Sequence, residues 1–402
     1  MEDLKLIVLD NIWDLGKRTN DYLKQINKND NDYIIPITRS RFSNGEGKIK
    51  INDTVRDKDI YILSDVGNYD ITYKMHGIIE HMSPDEHFQD IKRVISAISG
   101  YAHKITLIMP LLYESRQHKR KGKESLDCAI ALQELERLGV NHIITFDAHD
   151  PNVANSIPNL PFENVFVAHD ILDGLLENED VNNLLVISPD MGAMERARYY
   201  AEMLMCNVGV FYKRRDLTKI INGKNPIIEH AYLGEDVSNK NIIVVDDMIA
   251  SGESMLDVAK KLRENGSNKI YLVATFSLLT EGAEIFIEAY KNKLFDKLYS
   301  TNLSYVPDII KKEPWYQEID CSKRLACIIN ALNKKESLKP IYDDKQDNLV
   351  EILMECKKEG NPDMVYKFCS TSKVSFPGSG VAAIATSANN LEDIKKQLKI
   401  QT

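Results

Sequence analysis

Short apolar runs alternate along this chain with stretches in which apolar residues recur every third or fourth position. The runs, rich in β-branched residues, predict strands buried on both faces of a sheet, and the longer pattern predicts amphipathic helices. The predicted strands lie at 6–9, 33–37, 60–63, 105–109, 142–146, 184–187, 208–212, 242–245 and 270–274. The predicted helices lie near 87–99, 124–139, 191–205, 254–265, 281–290 and 322–334. This alternation indicates an α/β fold with mostly parallel sheets flanked by helices.

A polar crossing with two prolines at 152–165 interrupts the pattern. Proline and asparagine favour exposed connections between elements, so a domain boundary is expected there. We predict an N-terminal domain over 1–160, a second domain over 161–342 and a C-terminal extension over 343–402. The first two parts look alike in plan, since each repeats a strand, a polar loop and a helix.

Composition narrows the possible classes of protein. Of the 402 residues, 43% are hydrophobic and 28% are charged, which is enough for a sizeable soluble core. The net charge of −9 makes nucleic acid an unexpected partner. No apolar stretch approaches about 18 residues and no basic segment precedes an apolar run at the start, so no membrane span and no secretion signal are expected. The six cysteines form no Cys-x-x-Cys pair and are expected to be reduced, which favours a cytoplasmic protein.

The segment 241–254 carries the most specific chemical signal. Asp246 and Asp247 follow a predicted strand directly, and small residues then lead into a predicted helix. Ligands of open α/β sheets bind at the carboxyl ends of strands. The loop and the helix N-terminus offer N–H groups to a phosphate, while the acid pair suits sugar hydroxyls or a divalent metal. The segment therefore predicts a site for a ribose 5-phosphate group, although a simple turn with a helix cap is the plainer interpretation.

Five further motifs occur in order along the chain: Arg41-Phe-Ser-Asn-Gly-Glu46, Ser115-Arg-Gln117, Phe146-Asp-Ala-His149, Ser188-Pro-Asp-Met-Gly192 and Lys213-Arg-Arg215. With the segment 241–254, they resemble the ribose-phosphate diphosphokinases, or phosphoribosyl pyrophosphate synthetases, over residues 1–340. The loop at 250–254 also resembles type I phosphoribosyltransferases, but that class lacks the N-terminal nucleotide motifs. The resemblance implies two phosphoribosyltransferase-like domains of duplicated architecture, with the last helix packing back on the first domain.

The resemblance also implies a role for each motif. The residues implied to bind ATP are Phe42, Asn44, Glu46, Arg116 and Gln117. Those implied to bind ribose 5-phosphate are Asp246, Asp247, Ala250, Ser251, Gly252 and Ser254. Mg²⁺ is the implied cofactor, with His149 and Asp190 on the metal side, and His149, Lys213 and Arg215 are the implied catalytic residues. The implied reaction moves the diphosphoryl group of ATP to ribose 5-phosphate for nucleotide biosynthesis, in a homo-oligomer.

Plainer interpretations remain for these residues. They are a capping or core histidine at 149, a solvated charge run at 213–215, a basic surface loop at 116–117 and a core aromatic at 42. Positions after strands and within polar loops favour function instead. His118, Asp216 and Glu253 depart from the residues usual in the family. These departures keep open a catalytically weak regulatory paralogue as the alternative, and a phosphoribosyltransferase is a further one.

The extension at 343–402 carries an unrelated motif around Lys373. The stretch 365–380 resembles the Schiff-base lysine segment of fold-type I aminotransferases, which use pyridoxal phosphate. The cofactor-binding domain of such an enzyme is far longer than this extension. We therefore expect a fragment without transaminase activity, and a solvated extension or a dimer contact is the plainer interpretation.

Overall fold

The computed structural model describes residues 3–179, 182–215, 227–342, 366–370 and 382–386, with side chains over 3–179, 182–212 and 231–342. The chain divides into two compact units, residues 1–336 and 337–402. The first unit contains two large sheets whose strands alternate with helices. The predicted α/β class with mostly parallel sheets is therefore confirmed.

The first sheet has five strands, all parallel, in the order β1–β4–β7–β8–β9. The elements in this part of the chain are β1 (Leu4–Val8), α1 (Trp13–Asn27), β2 (Ile37–Arg41), β3 (Gly47–Ile51), β4 (Asp59–Leu63), β5 (Thr72–Met75), β6 (Ile78–His81), α2 (Pro84–Ile98), β7 (Lys104–Ile108), α3 (Asp127–Arg137), β8 (His142–Phe146) and β9 (Phe162–Val165). Every residue of β4 and β8 is buried, as expected for strands covered by helices on both faces. Because β9 pairs with β8, the first sheet continues past residue 160, where we predicted the domain to end.

The second sheet has seven strands in the order β12–β11–β10–β13–β14–β15–β16. The elements here are α4 (Ala168–Leu176), β10 (Leu184–Ser188), α5 (Met194–Leu204), β11 (Asn207–Arg215), β12 (Ile227–Leu233), β13 (Asn241–Ile249), α6 (Glu253–Glu264), β14 (Ile270–Ser277), α7 (Glu284–Lys291), β15 (Lys297–Thr301), α8 (Asp308–Lys311), β16 (Tyr316–Ile319) and α9 (Ser322–Asn333). Only β12, at one edge, runs antiparallel to its neighbour. The chain leaves β10 toward β11 on one side and returns to β13 on the other. This reversal of strand order opens a crevice at the carboxyl ends of β10 and β13, where open α/β sheets bind ligands.

Burial explains why these elements pack as they do. The apolar stripe of α6, at Met255, Val258, Ala259 and Leu262, is buried against the second sheet, as the helical pattern predicted. The same hydrophobic core contains the rings of Phe286, Phe295 and Trp315, whose centroids are 5.7 to 6.2 Å apart. Helix α9 packs against α1, so the end of this unit contacts its beginning. No helix among the described residues has the length and apolarity to cross a membrane.

Several predicted strands differ in extent from the observed ones, including β13, which ends at Ile249, and β14, which ends at Ser277, and several elements were not predicted. In place of a strand at 33–37, Ile34 makes a single parallel bridge to Leu6, and β2 begins at Ile37. The pairing is limited to two backbone hydrogen bonds, from the N–H of Leu6 to the carbonyl of Tyr33 and from the N–H of Ile35 to the carbonyl of Leu6. Strand β11 continues through Arg215, past the predicted end at residue 212. In the first unit, the unpredicted elements are α1, α4, α8, β2, β3, β5, β6, β9, β12, β15 and β16.

The second unit contains a short helix, α10 (Lys339–Tyr342), and an antiparallel pair of strands, β17 (Tyr366–Ser370) and β18 (Ala382–Thr386). Residue Lys373, the candidate Schiff-base lysine, lies outside the described residues.

Candidate active site

The predicted acid pair lies within the carboxyl-terminal half of β13, rather than after the strand. The side chain of Asp247 is 3% exposed, while Asp246 is only partly covered. The backbone N–H of Asp247 donates to Oδ1 of Asp246 at 2.9 Å, so the two side chains share a fixed local geometry. The pair stands at the switch point between β10 and β13, where a ligand is expected.

A histidine that follows the first sheet contacts one member of the acid pair. His149 follows β8 of the first sheet, and its Nδ1 lies 2.8 Å from Oδ2 of Asp247. This hydrogen bond raises the pKa of His149 against the opposing effect of burial. The sequence motifs containing His149 and Asp247 are thus brought together across 98 residues. Nε2 of His149 is left for a ligand by this arrangement.

The two carboxyl groups of the pair have opposite pKa shifts. Burial, and then the charge of Asp247, raise the pKa of Asp246. Burial also disfavours the charged form of Asp247, but hydrogen bonding from His149 and the charge of Arg196 outweigh it and lower that pKa. Such divergence between adjacent carboxyl groups is typical of functional sites. The pair therefore combines a firmly ionised carboxylate with one whose charge depends on its neighbours.

Arg196, Asp147 and Thr275 form a cluster that the sequence did not reveal. Nε and Nη2 of Arg196 donate to the Asp147 carboxylate at 2.7 to 3.1 Å, and Oγ1 of Thr275 donates to the same group at 2.6 Å. Asp147 lies two residues before His149 and has a left-handed backbone, with φ of 41°. The motif Phe146-Asp-Ala-His149 was the available signal, because it places an acid beside the candidate histidine.

The segment predicted to bind phosphate forms a turn at Gly252 that leads into α6. Gly252 caps α6 with φ of 88°, and a Cβ at this position would overlap the ring of Phe286. Ala250 and Ser251 are partly buried, whereas Ser254 is exposed. The first turn of α6 presents N–H groups that have no acceptor within the helix. Glu253, which departs from the family, is exposed at the first helical position, so its carboxylate can turn away from a bound phosphate.

Asp190 lies in the turn between β10 and α5. Its Oδ1 accepts hydrogen bonds from the backbone N–H of Gly192 at 2.8 Å and of Ala193 at 3.2 Å. These bonds fix the start of α5 and leave Oδ2 for another partner. Asp190 therefore stands at the carboxyl end of the strand adjacent to the one that carries the acid pair.

A cavity of about 750 Å³ connects these residues. Its walls include candidate residues from both sheets: Arg116, His149, Asp190, Asp246 and Asp247. The same cavity is lined by His118, Lys119, Asp150, Gly192, Arg196, Tyr212 and Met248. Its size and mixed charge fit a sugar phosphate together with a polyphosphate.

The predicted ATP residues divide into two groups. Arg116 lines the cavity and donates to Sδ of Met248 at 3.1 and 3.2 Å, and it also borders a mostly apolar cavity of about 600 Å³. Gln117 instead donates to the carbonyl of Ser125 at 2.8 Å. Phe42, Asn44 and Glu46 lie on the exposed turn between β2 and β3. Neither Gln117 nor these turn residues are among the described residues that line the larger cavity.

His118 stands inside the site, although it departs from the family. Its side chain is 10% exposed, its ring centroid is 5.4 Å from that of His149, and its Nδ1 lies 3.1 Å from the carbonyl oxygen of Ser115. Nε2 approaches a carboxylate oxygen of Asp150 at 3.2 Å, but with poor hydrogen-bond geometry. The departure therefore changes the charge on the cavity wall and leaves the fold intact.

Two side chains of the site have atoms of the kind that bind magnesium. Among the described residues, no cluster of three or more His, Cys, Asp and Glu side chains is arranged to hold a metal by itself. Nε2 of His149 and Oδ2 of Asp190 are two donors on one cavity wall. Mg²⁺ commonly takes few protein ligands and completes its shell with phosphate oxygens and water.

The cluster at Lys213 and Arg215 is described only as backbone. Both residues lie at the end of β11, which pairs with β10 on one side and with β12 on the other. The pairing shifts register between Arg214 and Arg215. Their side chains lie outside the described part of the chain, so their catalytic roles stay a prediction.

Comparisons with protein-family models match three parts of the chain. Residues 15–139 match the N-terminal domain of ribose phosphate pyrophosphokinase, and residues 212–343 match the phosphoribosyl synthetase-associated domain. Residues 336–402 match the aspartate amino-transferase family. The two resemblances inferred from the motifs are therefore confirmed at the level of family models.

Whole-chain comparisons point to the same family. A ribose-phosphate pyrophosphokinase of Mycoplasma genitalium is 30% identical over 264 residues, which cover 65% of this chain and 73% of the relative. Another, of Haemophilus ducreyi, is 25% identical over 348 residues, covering 85% of this chain and 100% of the relative. The crystal structure of phosphoribosylpyrophosphate synthetase from Mycobacterium smegmatis, at 21% identity, covers 83% of this chain and 99% of its own with a TM-score of 0.68, so the fold is shared. With these matches and the site geometry, the chain belongs to the ribose-phosphate pyrophosphokinase family.

Proposed function

We propose that this chain transfers the diphosphoryl group of ATP to the anomeric hydroxyl of ribose 5-phosphate, giving phosphoribosyl diphosphate and AMP for nucleotide biosynthesis. One observation carries the proposal. The acid pair at the switch point leads into a glycine turn and a helix N-terminus, and it faces a cavity that also contains His149 and Asp190. Sugar hydroxyls and a terminal phosphate can thus be held on one side, with room for a triphosphate on the other.

The sugar is positioned by the second sheet. Asp246 and Asp247 accept hydrogen bonds from the ribose hydroxyls, and the turn at 250–254 binds the 5-phosphate through backbone N–H groups and the hydroxyls of Ser251 and Ser254. Gly252 allows the backbone to approach the phosphate closely, because it adopts a positive φ that side chains disfavour. The anomeric hydroxyl then points into the shared cavity.

The chemical step needs little more than alignment and charge. The anomeric oxygen attacks the β-phosphorus of ATP and its hydroxyl proton passes to solvent. The bond from that phosphorus to the oxygen bridging the α-phosphorus breaks, so AMP leaves. Holding the reactants in line and stabilising the transferring group supply most of the acceleration in reactions of this class. Arg116 on the cavity wall, with Lys213 and Arg215 at the end of β11, would supply positive charge.

Magnesium is part of the proposal. Nε2 of His149 and Oδ2 of Asp190 would hold Mg²⁺ beside the triphosphate, with water and phosphate oxygens as the remaining ligands. The ion supplies neutralisation of the phosphate charge when it is bound. The chain's own contribution is to aim these two donors: the Asp247 carboxylate orients the imidazole, and the start of α5 orients the carboxylate.

We extend the proposal to a homo-oligomer in the cytoplasm. Phe42, Asn44 and Glu46 lie on an exposed turn, with Phe42 55% exposed, so they can reach an adenine bound to a second copy of the chain. Cys128 and Cys321 are buried thiols that take part in no disulfide, which fits a reducing compartment. Sedimentation of the purified protein tests the assembly, and a monomer that remains fully active would contradict it.

The central experiment measures products. Purified protein is incubated with ATP, Mg²⁺ and ribose 5-phosphate, and AMP and phosphoribosyl diphosphate are quantified together. We expect equal amounts of both, formed only when the sugar phosphate is present. Formation of ADP, or of no product, would contradict the assignment, and the second result would favour the regulatory paralogue. Phosphoribosyl transfer from the diphosphate to an added base, with no AMP formed, would indicate a phosphoribosyltransferase.

A further inference from the structure

Two buried carboxylates connect the first sheet to the second part of the unit. Asp65 follows β4 and accepts hydrogen bonds from the side chain of Ser304 and the backbone of Tyr305. Asp147 follows β8 and accepts from Arg196 and Thr275. The first contact lies away from the larger cavity, whereas Arg196 of the second lines it. Variants of the Asp65 contact should therefore change stability alone, whereas variants of the Asp147 contact should also change ligand binding.

The second contact is built to hold a guanidinium in one orientation. Arg196 presents Nε and Nη2 to the carboxylate of Asp147, at distances from 2.7 to 3.1 Å. The Asp147 side chain is 6% exposed and that of Arg196 is 15% exposed, so water competes little for these bonds. Two-pronged pairing of this kind fixes both groups more firmly than a single contact does. Thr275, from β14, donates to Oδ2 of Asp147 and fixes the carboxylate in turn.

The same guanidinium lines the cavity together with the acid pair. Burial disfavours the charge of Arg196, but electrostatic attraction to Asp147, Asp247 and Asp246 outweighs burial and raises its pKa. Two carboxylates at adjacent positions repel each other, and burial makes the repulsion stronger. A cation held on α5, on the wall of the same cavity, offsets this repulsion.

We propose that Arg196, held by Asp147 and Thr275, is the positioning residue that prepares the Asp246–Asp247 pair to bind the hydroxyls of ribose 5-phosphate. The inference rests on the proposed function and deepens it, because it assigns sugar affinity to residues that do not touch the sugar. Asp147 also lies two residues before His149, so the same pair fixes the loop that delivers the imidazole to Asp247. Loss of the cation should therefore weaken sugar binding more than ATP binding.

The test measures ribose 5-phosphate affinity by calorimetry, together with KM and kcat for both substrates. Arg196→Gln removes the charge and keeps much of the size, and we expect it to weaken sugar binding by tenfold or more, with a smaller change in the KM for ATP. Arg196→Lys keeps the charge but loses the two-pronged grip, so we expect an intermediate loss. For Arg196→Ala, millimolar guanidinium should restore part of the sugar affinity.

Milder variants and a control keep the test decisive if a variant fails to fold. Thr275→Val removes only the supporting hydrogen bond, so we expect a loss of severalfold in sugar affinity with a folded protein. Ser304→Ala weakens the Asp65 contact, and we expect it to lower the melting temperature while sugar affinity stays at the wild-type value. Sugar affinity in Arg196→Gln and Thr275→Val equal to that of wild type would overturn the inference. The inference would also be overturned if the variants lost sugar affinity, KM and kcat only in proportion to the fraction of protein that is unfolded.

Failure of the proposed function gives a different result. In that case the wild-type protein itself would neither bind ribose 5-phosphate nor form AMP, and the inference would fall with it. If the wild type binds the sugar and turns over while the Arg196 variants bind equally well, only the role of Arg196 is wrong.

Discussion

At the scale of single residues, the sequence indicated the candidate site residues, but it did not indicate which of them contact one another. His149 and Asp247 were both candidates, but their 2.8 Å contact depends on how the two sheets meet, which no local pattern contains. Arg196 was missed because it lies in an ordinary helical pattern, and its partner Asp147 is buried by a turn with positive φ. Arg116 reaches the cavity as expected, whereas Phe42, Asn44 and Glu46 remain outside it.

The first prediction concerns the basic cluster at the end of β11. Replacing Lys213 or Arg215 with alanine removes charge that matters mainly while the diphosphoryl group is in transit. We therefore expect kcat to fall by about 10² or more, with little change in ribose 5-phosphate affinity. Steady-state rates of AMP formation measure the effect. Arg198→Ala is the matched control, since Arg198 is 65% exposed on α5 and pairs with Glu202. Equal rates for all three variants would show that the cluster is only a solvated face.

At the scale of secondary structure, the buried periodic elements were the most predictable. Strand β8 matches its prediction residue for residue, and α9 differs by one residue at its end, because continuous burial produces an unambiguous pattern. The β2–β3 and β5–β6 hairpins were missed because their strands are half exposed and carry mixed polar residues. Helix α2 begins earlier than its apolar pattern, because Ser83 and Glu86 form a capping box ahead of it.

The second prediction concerns the turn that starts α6. Gly252→Ala should destabilise the protein by about 2–4 kcal/mol, because a positive φ and an overlap with the buried ring of Phe286 add together. We also expect a higher KM for ribose 5-phosphate, since relief of the overlap must move the phosphate loop. Thermal unfolding and steady-state kinetics measure the two effects.

Gly77→Ala separates backbone strain from crowding. Gly77 has a similar φ of 85°, but a Cβ there would meet no atom within 4 Å. This variant should lose about 1 kcal/mol and keep the wild-type KM. Equal stability losses in the two variants would mean that the Phe286 ring moves aside at no cost, and that its packing does not hold the loop in its conformation.

At the scale of the whole molecule, the two sheets are joined by buried polar contacts that sequence patterns do not encode. Asp65 and Ser304 are separated by 239 residues, and their contact forms only when both halves are folded. The duplicated strand and helix plan was predictable because each half repeats the same alternation. The orientation of the halves was not, since it depends on a few side chains with no periodic signature.

The third prediction tests the Asp65 contact through pH. Burial raises the pKa of Asp65 from 3.8 to about 6, despite hydrogen bonds from Tyr305, Gly67 and Ser304 that lower it. The folded protein therefore binds this proton more tightly than the unfolded chain does. Stability attributable to Asp65 must fall as pH rises from about 4 to about 6 and level off above. Asp65→Asn cannot titrate, so its stability relative to wild type should rise by about 2–3 kcal/mol across this window.

Thermal or urea unfolding of both proteins at pH 4 and pH 7 measures this difference. Ser304→Ala is the control, because it removes a hydrogen bond but retains the titrating carboxyl, so its pH dependence should persist. Stability curves of Asp65→Asn and wild type that stay parallel across pH would contradict the assignment.

The last prediction concerns the second unit, residues 337–402. A chain ending after Lys339 retains the whole first unit, so it should fold and form AMP at the rate of the full chain. The full chain should bind no pyridoxal phosphate. Aminotransferases hold that cofactor by its phosphate and ring as well as by the imine, and a lysine segment alone offers little affinity. Visible absorbance after incubation with pyridoxal phosphate and dialysis measures this. A retained aldimine band that disappears in Lys373→Ala would instead make the tail a functional half-site.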